Sequence, residues 1–439
     1  MNINEHTSGK VKQDEKLGVF KLSMIWAGFP FILAITITGS VFALDSTPYI
    51  ATLAIILGSI IMFIYVGTLG EIGWKEGRSF AQIAEAVFGR NGYRIIAGLL
   101  SVLVLGWFTI NTAMPAEIMA SSFHLPYWTM SVLLGTLFVL ITAYGIKGMN
   151  LISNISVPFF VALLFLAFVM VETHQSVGSV DYSSIGDKSM TFSEVLAGVL
   201  ASFADSGTLA PDFNRWAKDR KTSWISIFAA FPIGFGIAMI AGVVFTVLLA
   251  DNGLVFDKPF QSSNPIGYMI VAGGGALAFA VLVAAINQGS NATHCLYNSG
   301  IGLSKLFGKR YVTTIFVIGI LGVIIAATGV WALLIDWLKI IGVLVPPIGA
   351  VIIIAYYTGI YSLHSSISNA EDSNKWHKYP WLALTIGWVV GLIVNFTSLA
   401  IIIPVPVASF SVSLVIMFMA SKAIKKSSLN IISSKELSL

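Results

Sequence analysis

The stretch "ASFADSGTLAPDFNRW", residues 201–216, closes an apolar run that begins near residue 192. Within eight positions it holds Asp205, Gly207, Pro211 and Asp212. A helix that only crosses lipid has no use for that set. Gly and Pro weaken helical hydrogen bonding, and a charge at the bilayer centre costs on the order of 3 kcal/mol on insertion scales. Irregular backbone at membrane depth is tolerated where it lines a protein cavity. The stretch therefore predicts a span interrupted for binding, with Asp205 facing the bundle interior.

The rest of the chain fixes the class. Of its 439 residues, 56% are hydrophobic and 10% charged, and the mean hydropathy is +0.86. Soluble domains carry about 25% charged residues. Runs such as "GFPFILAITITGSVFAL" and "LAIIIPVPVASFSVSLVIMFMA" match the roughly 20 residues of a membrane helix. They lack the period-2 alternation of a membrane barrel. The expected fold is an all-α polytopic membrane protein with about twelve spans. These are 20–44, 49–72, 94–120, 128–146, 150–172, 192–213, 222–250, 266–290, 312–335, 337–358, 380–397 and 399–421.

Charge sets the orientation. With the N-terminus inside, 22 of the 25 Lys and Arg residues fall in inside segments; only Lys188, Lys258 and Lys339 lie outside. That bias predicts a cell-membrane protein with both termini cytoplasmic. Residues 1–19 and 422–439 are expected to be tails around a single membrane domain, 20–421. The net charge of +4 belongs to the inside loops, so no nucleic-acid partner is implied. The single cysteine, Cys295, excludes an internal disulfide and predicts a small buried hydrophobe.

Span 1 is irregular as well, with Pro30 in "GFPF" and Gly39 in "TITGS". Broken spans at corresponding positions, five spans apart, are the mark of an inverted-repeat secondary transporter. Repeat one would cover about 20–172 and repeat two about 192–358, with two helices at about 380–421 appended.

Other polar residues sit in apolar surroundings. "NQGSNATH" (287–294) is expected at the cytoplasmic end of span 8, "LGWFTINTAM" (105–114) places Trp107 mid-span ahead of Asn111 and Thr112, and Asp336 lies near an outer boundary. Bland alternatives stand beside each. Asp205 would cap a half-helix starting near Gly207. Residues 287–293 would be interhelical hydrogen-bond glue. Trp107 would be a core aromatic and Asp336 a solvated loop carboxylate. His294 is expected satisfied or cytoplasm-exposed, and Glu71 solvated. Metal-ligand spacing, a GxSxG elbow and a phosphate-cradling loop are all missing from the sequence, so an enzyme is not expected. An uncoupled facilitator or a membrane sensor remains the alternative to a symporter.

Five segments carry a family resemblance: "LGEIGWKEG", "LGWFTINTAM", "SFADSGTLAPDFNRWAK", "NATHCLYNSGIGLSKLFG" and "VPPIGAVIIIAYY". In order and spacing the chain resembles the nucleobase:cation symporter-1 family, in its cytosine permease-like branch. The resemblance implies a LeuT-like 5+5 inverted-repeat fold and alternating access, with a small heterocyclic substrate, lipid as the surroundings and no obligate protein partner. No cofactor is implied beyond a coupling sodium ion or proton. By the same resemblance Trp107 and Phe203 sandwich the base, while Asp205, Ser206 and Asn287 contribute to its polar contacts. Gly28, Phe31, Asn287, Ser290 and Asn291 occupy the family's sodium-site positions. At three base-reading positions the sequence departs from the cytosine permeases, with Val104 for Gln, Ala292 for Asn and Asp205 for Ser. An ionised Asp only accepts hydrogen bonds. The expected substrate is therefore donor-rich: an aminopyrimidine or related heterocycle, including a vitamin precursor such as hydroxymethylpyrimidine, rather than cytosine.

Overall fold

A computed structural model describes residue 5 and residues 9–173, 185–251, 267, 269, 272–329, 334–360 and 376–436. Every extended element among them is helical. Seven helices are long and apolar enough to cross a membrane, and four shorter apolar helices accompany them. Their outward faces are greasy. On span 9, Tyr311–Ala326, Val317, Ile320 and Ile324 are each more than half exposed. The polar residues Asn287, Gln288, Asn291 and Asn298 are meanwhile buried. That inverts the pattern of a water-soluble protein, as expected when lipid is the solvent.

Span 1 is two helices, Val19–Ala27 and Leu33–Asp45. They part at Pro30, which has no N–H to extend a helical ladder, and at Ile32, which is extended (φ −138°, ψ 160°). Span 6 breaks likewise, into Phe192–Ala201, Ala204–Thr208 and Pro211–Asn214. Phe203 departs from helical geometry at the first interruption (φ −144°, ψ 10°).

The remaining spans build the frame around these breaks. Span 2 is Pro48–Glu76, span 4 Tyr127–Thr142 and span 5 Ile146–Thr173. Span 3 belongs to the helix Phe80–Phe123, which bends at Gly89. Its φ of 82° suits glycine and few other residues. Span 7 runs Arg220–Leu249, with a π-type turn over Ala229–Phe235. Span 10 is Leu334–Leu344 followed by Pro346–Tyr357. Span 11 is Lys378–Asn395, and the last helix, Val405–Glu436, continues past residue 421. Span 8 lies along spans 3 and 5, while the second half of span 1 packs on span 7. Spans 10, 11 and 12 pack on one another.

Span 8 corrects the boundaries expected from hydropathy. Its helix Gly274–Phe307 runs on well past residue 290, the end expected from the sequence. Polar residues from Asn287 onward imitate a membrane edge, although they face other helices rather than water.

Candidate transport site

Gly28 ends the first helix of span 1 and approaches spans 5 and 8 closely. A Cβ there would lie 2.6 Å from Ser153 Cβ and 2.9 Å from Ser290 Oγ. Ser290 Oγ donates to the Gly28 carbonyl (2.8 Å) and lies 3.3 Å from Ser153 Oγ. One turn earlier on span 8, Asn287 reaches the other end of the break. Its Oδ1 accepts from the Leu33 N–H (2.8 Å), the start of the second half-helix. Its amide nitrogen donates to the Phe31 carbonyl (3.0 Å) and to Ser156 Oγ (3.1 Å). Asn287, expected at both the substrate and the sodium positions, bonds through its side chain to the backbone of span 1. Backbone groups left bare by an unwound helix must find partners when buried. Asn291 Oδ1 accepts from the Cys295 thiol (3.4 Å), a weak donor.

The span 6 break presents different chemistry. Asp205 is fully buried. Its Oδ1 accepts from the Ser206 N–H (2.7 Å), and its Oδ2 has no hydrogen-bond partner. The Trp107 indole on span 3 and the Cys295 thiol on span 8 lie within electrostatic reach of the carboxyl. Tyr65, whose hydroxyl pairs with Thr208 Oγ1, approaches from span 2. The structure thus gathers Trp107, Asp205, Ser206 and Cys295 from spans 3, 6 and 8. Phe203 turns edge-on into a cluster with Phe29 (4.7 Å between centroids), Phe231 (5.3 Å) and Phe235 (6.1 Å). Among the described residues, Trp107 makes no ring contact with another aromatic side chain.

On spans 3 and 8, three further polar atoms are buried without a partner: Asn111 Oδ1, Thr112 Oγ1 and Gln288 Oε1. Asn111 donates its amide to the Trp107 carbonyl (2.7 Å), which directs its oxygen away. Gln288 donates to Met114 Sδ (2.9 Å) across spans 8 and 3. Gln288 was visible inside "NQGSNATH" but carried no distinguishing pattern; an amide in an apolar span was its only signal. His294 is neither exposed nor terminal. It is fully buried in mid-helix, with Nδ1 2.6 Å from the Ser290 carbonyl and its ring stacked on Phe29. Glu71 is not simply solvated, because it pairs with Arg220 (3.0 Å) and accepts from Trp224 Nε1 (2.7 Å). The side chain of Asp336 lies outside the described residues.

Spans 1, 3, 6 and 8 thus converge on a buried carboxylate beside an indole, with two interrupted helices against one polar helix. A family model described as permeases for cytosine/purines, uracil, thiamine and allantoin matches residues 11–417 of the chain. The chain belongs to this permease family. It is a multi-pass membrane transporter, not an enzyme. The chain is similar to the cytosine permease of Escherichia coli strain K12, with 26% identity over 399 residues, 89% of this chain and 90% of that one. Its fold is similar to that of Mhp1, a nucleobase-cation-symport-1 family transporter solved in a closed conformation with bromovinylhydantoin bound. There the TM-score is 0.76 at 18% identity, over 96% of both chains. It is also similar to a Na+-coupled sialic acid symporter solved in a substrate-bound outward-open state. That match has a TM-score of 0.68 at 12% identity, over 93% of this chain and 90% of the other. The permease thus has the LeuT-like fold of alternating-access symporters.

Proposed function

We propose that this permease is a cell-membrane importer, with both termini cytoplasmic, that carries a donor-rich nitrogen heterocycle coupled to a cation gradient. The observation that carries the substrate class is the bare Asp205 Oδ2. A buried carboxylate oxygen without a donor is costly, and a bound ligand that supplies an N–H removes that cost. The bare oxygens of Asn111 and Gln288 add acceptors of the same kind. An aminopyrimidine offers its exocyclic amino N–H groups to these acceptors, and the adjacent ring nitrogen, an acceptor when neutral, becomes a second donor to the carboxylate when protonated. Trp107 supplies a stacking face, worth about 1–3 kcal/mol per base in nucleic-acid sites. Phe203, held edge-on by three rings, forms the opposite wall, and Ser206 lies beside the bound edge.

Coupling has two supports. For sodium, the Gly28 carbonyl, Ser290 Oγ and Asn291 Oδ1 are hard oxygens of the kind such a cation takes. Asn287 positions the Phe31 carbonyl beside them. For a proton, Asp205 itself is the acceptor. A thermal-shift series on the purified protein decides both points. Cytosine, aminopyrimidines and purines are compared with and without sodium, because a ligand that binds the fold raises its apparent stability. Aminopyrimidines are expected to give the largest shift. A larger shift from cytosine would overturn the substrate reading, and a sodium-independent shift whose size depends on pH in the parent would assign the coupling to a proton.

A further inference from the structure

The N-terminal tail is anchored more firmly than a polar leader segment requires. Glu5, fourteen positions before the first half-helix, is only 4% exposed. Its Oε2 accepts from the Tyr297 hydroxyl of span 8 (2.8 Å), and its Oε1 from the Ile146 N–H at the start of span 5 (3.3 Å). Its carbonyl accepts from Arg215, just after the broken span 6 (2.8 Å). Arg215 is itself fully buried. It donates to the Tyr297 hydroxyl (3.2 Å) and, through Nε, to the Asp212 carbonyl (3.0 Å). Asp212 Oδ1 in turn accepts from the Phe80 N–H (2.8 Å), at the start of the helix that carries span 3.

Two more points fasten the tail. The Val11 N–H donates to the Gly77 carbonyl after span 2 (3.0 Å). Leu17 pairs both ways with the connection after span 6: its N–H donates to the Trp216 carbonyl (2.6 Å) and its carbonyl accepts from the Lys218 N–H (3.0 Å). Tail residues therefore tie together spans 2, 5, 6 and 8 on one face of the protein. The first half of span 1 begins immediately after the last of these ties.

We propose that Glu5, with Val11 and Leu17, is a gate that holds the tail-side face shut and must release before the central site opens to that side. The inference rests on alternating access and not on the substrate assignment. Glu5 bonds to an element of each of spans 5, 6 and 8, so these spans cannot part on the tail side while its bonds hold. A buried carboxylate that accepts a hydroxyl and an amide at once is a strong tie, because hydrogen bonds to charged groups exceed neutral ones. Once the tail leaves, Arg215 and Tyr297 lose that partner and the helices bearing them are free to separate.

Cys295 is the only cysteine, buried beside Ser206 at the centre, and it reports directly on opening. The test uses the full chain in proteoliposomes, with a membrane-impermeant maleimide applied from each side in turn. The tail side is assigned by accessibility of an N-terminal tag, and modification of Cys295 is followed by mass spectrometry. Glu5→Ala is expected to raise labelling from the tail side about fivefold or more, with no rise from the opposite side. Glu5→Gln keeps one oxygen for the Ile146 N–H and an amide N–H that can donate to the Tyr297 hydroxyl, without the charge, and is expected to label from the tail side at a rate between the parent and Glu5→Ala. An unchanged rate in Glu5→Ala would overturn the gate. An equal rise from both sides would also overturn it, since that marks a loosened fold. No substrate enters the measurement, so failure here is separate from failure of the aminopyrimidine reading.

Discussion

The two interrupted spans look alike in sequence and end in opposite states. At the span 1 break, span 8 satisfies the groups that unwinding lays bare: Ser290 takes the Gly28 carbonyl, while Asn287 takes the Phe31 carbonyl and the Leu33 N–H. At the span 6 break, one oxygen of Asp205 stays bare in a fully buried position. The first break is closed upon itself by the protein. The second keeps a buried side-chain acceptor without a donor. Unwinding a helix is thus not by itself a binding site, and the proposed site is the break where a buried acceptor stays bare.

The comparison is broken most forcefully at Asn287. Asn287→Ala removes three hydrogen bonds at once and strands two buried backbone groups. A loss of about 3 kcal/mol is expected, read as a lowered thermal midpoint of the purified protein, at the lower end of what stranded polar groups cost because membrane hydrogen bonds are individually modest. If Asn287→Ala melts with the parent, the span 1 break is not held as described.

At the other break, Asp205→Asn is expected to lower uptake of an aminopyrimidine about a hundredfold in kcat/KM, roughly 2.7 kcal/mol of transition-state stabilisation. Stability should stay level or rise, because the variant relieves a bare buried carboxylate. Equal uptake by the variant, or a large loss of stability, would reduce Asp205 to a helix cap. Ser290→Ala removes one hydroxyl and should cost about 1 kcal/mol of stability. Its sharper effect is on coupling, with a weakened sodium dependence of ligand-induced stabilisation.

The smallest effect lies away from both breaks. His377, ahead of span 11, places Nδ1 2.8 Å from the Val87 carbonyl. Burial holds its pKa below the ordinary histidine value. The fold therefore favours the neutral ring. Its contribution is whole above the ordinary value and is lost as pH falls through that value toward the lowered one. Between pH 7.5 and 5.5 the thermal midpoint of the parent should fall further than that of His377→Gln, by about 2 °C or less. Parallel pH curves for the two proteins would exclude this contribution.

Much of the architecture could be read directly from the residues. Apolar runs of membrane length gave the class, and Pro30 and the Asp205–Pro211 stretch marked both breaks, because Pro and Gly act on their own backbone. Span 8 was misplaced for the same local reason. Hydropathy sees Asn287 to His294 as a water boundary, while the structure buries them against spans 1, 3 and 5. Glu5 offered no signal at all; an acidic residue in a polar leader segment is ordinary until its partners are known.

The sequence alone determined that the chain crosses the membrane repeatedly, that spans 1 and 6 are interrupted, and that a carboxylate stands at the second interruption. These follow from length, hydropathy and backbone chemistry, which act within a few residues. Only the tertiary structure decided which break is satisfied and which is open. That choice depends on pairings such as Asn287 with Leu33, 254 positions apart, and no local pattern records what will sit across the bundle from a bare carbonyl.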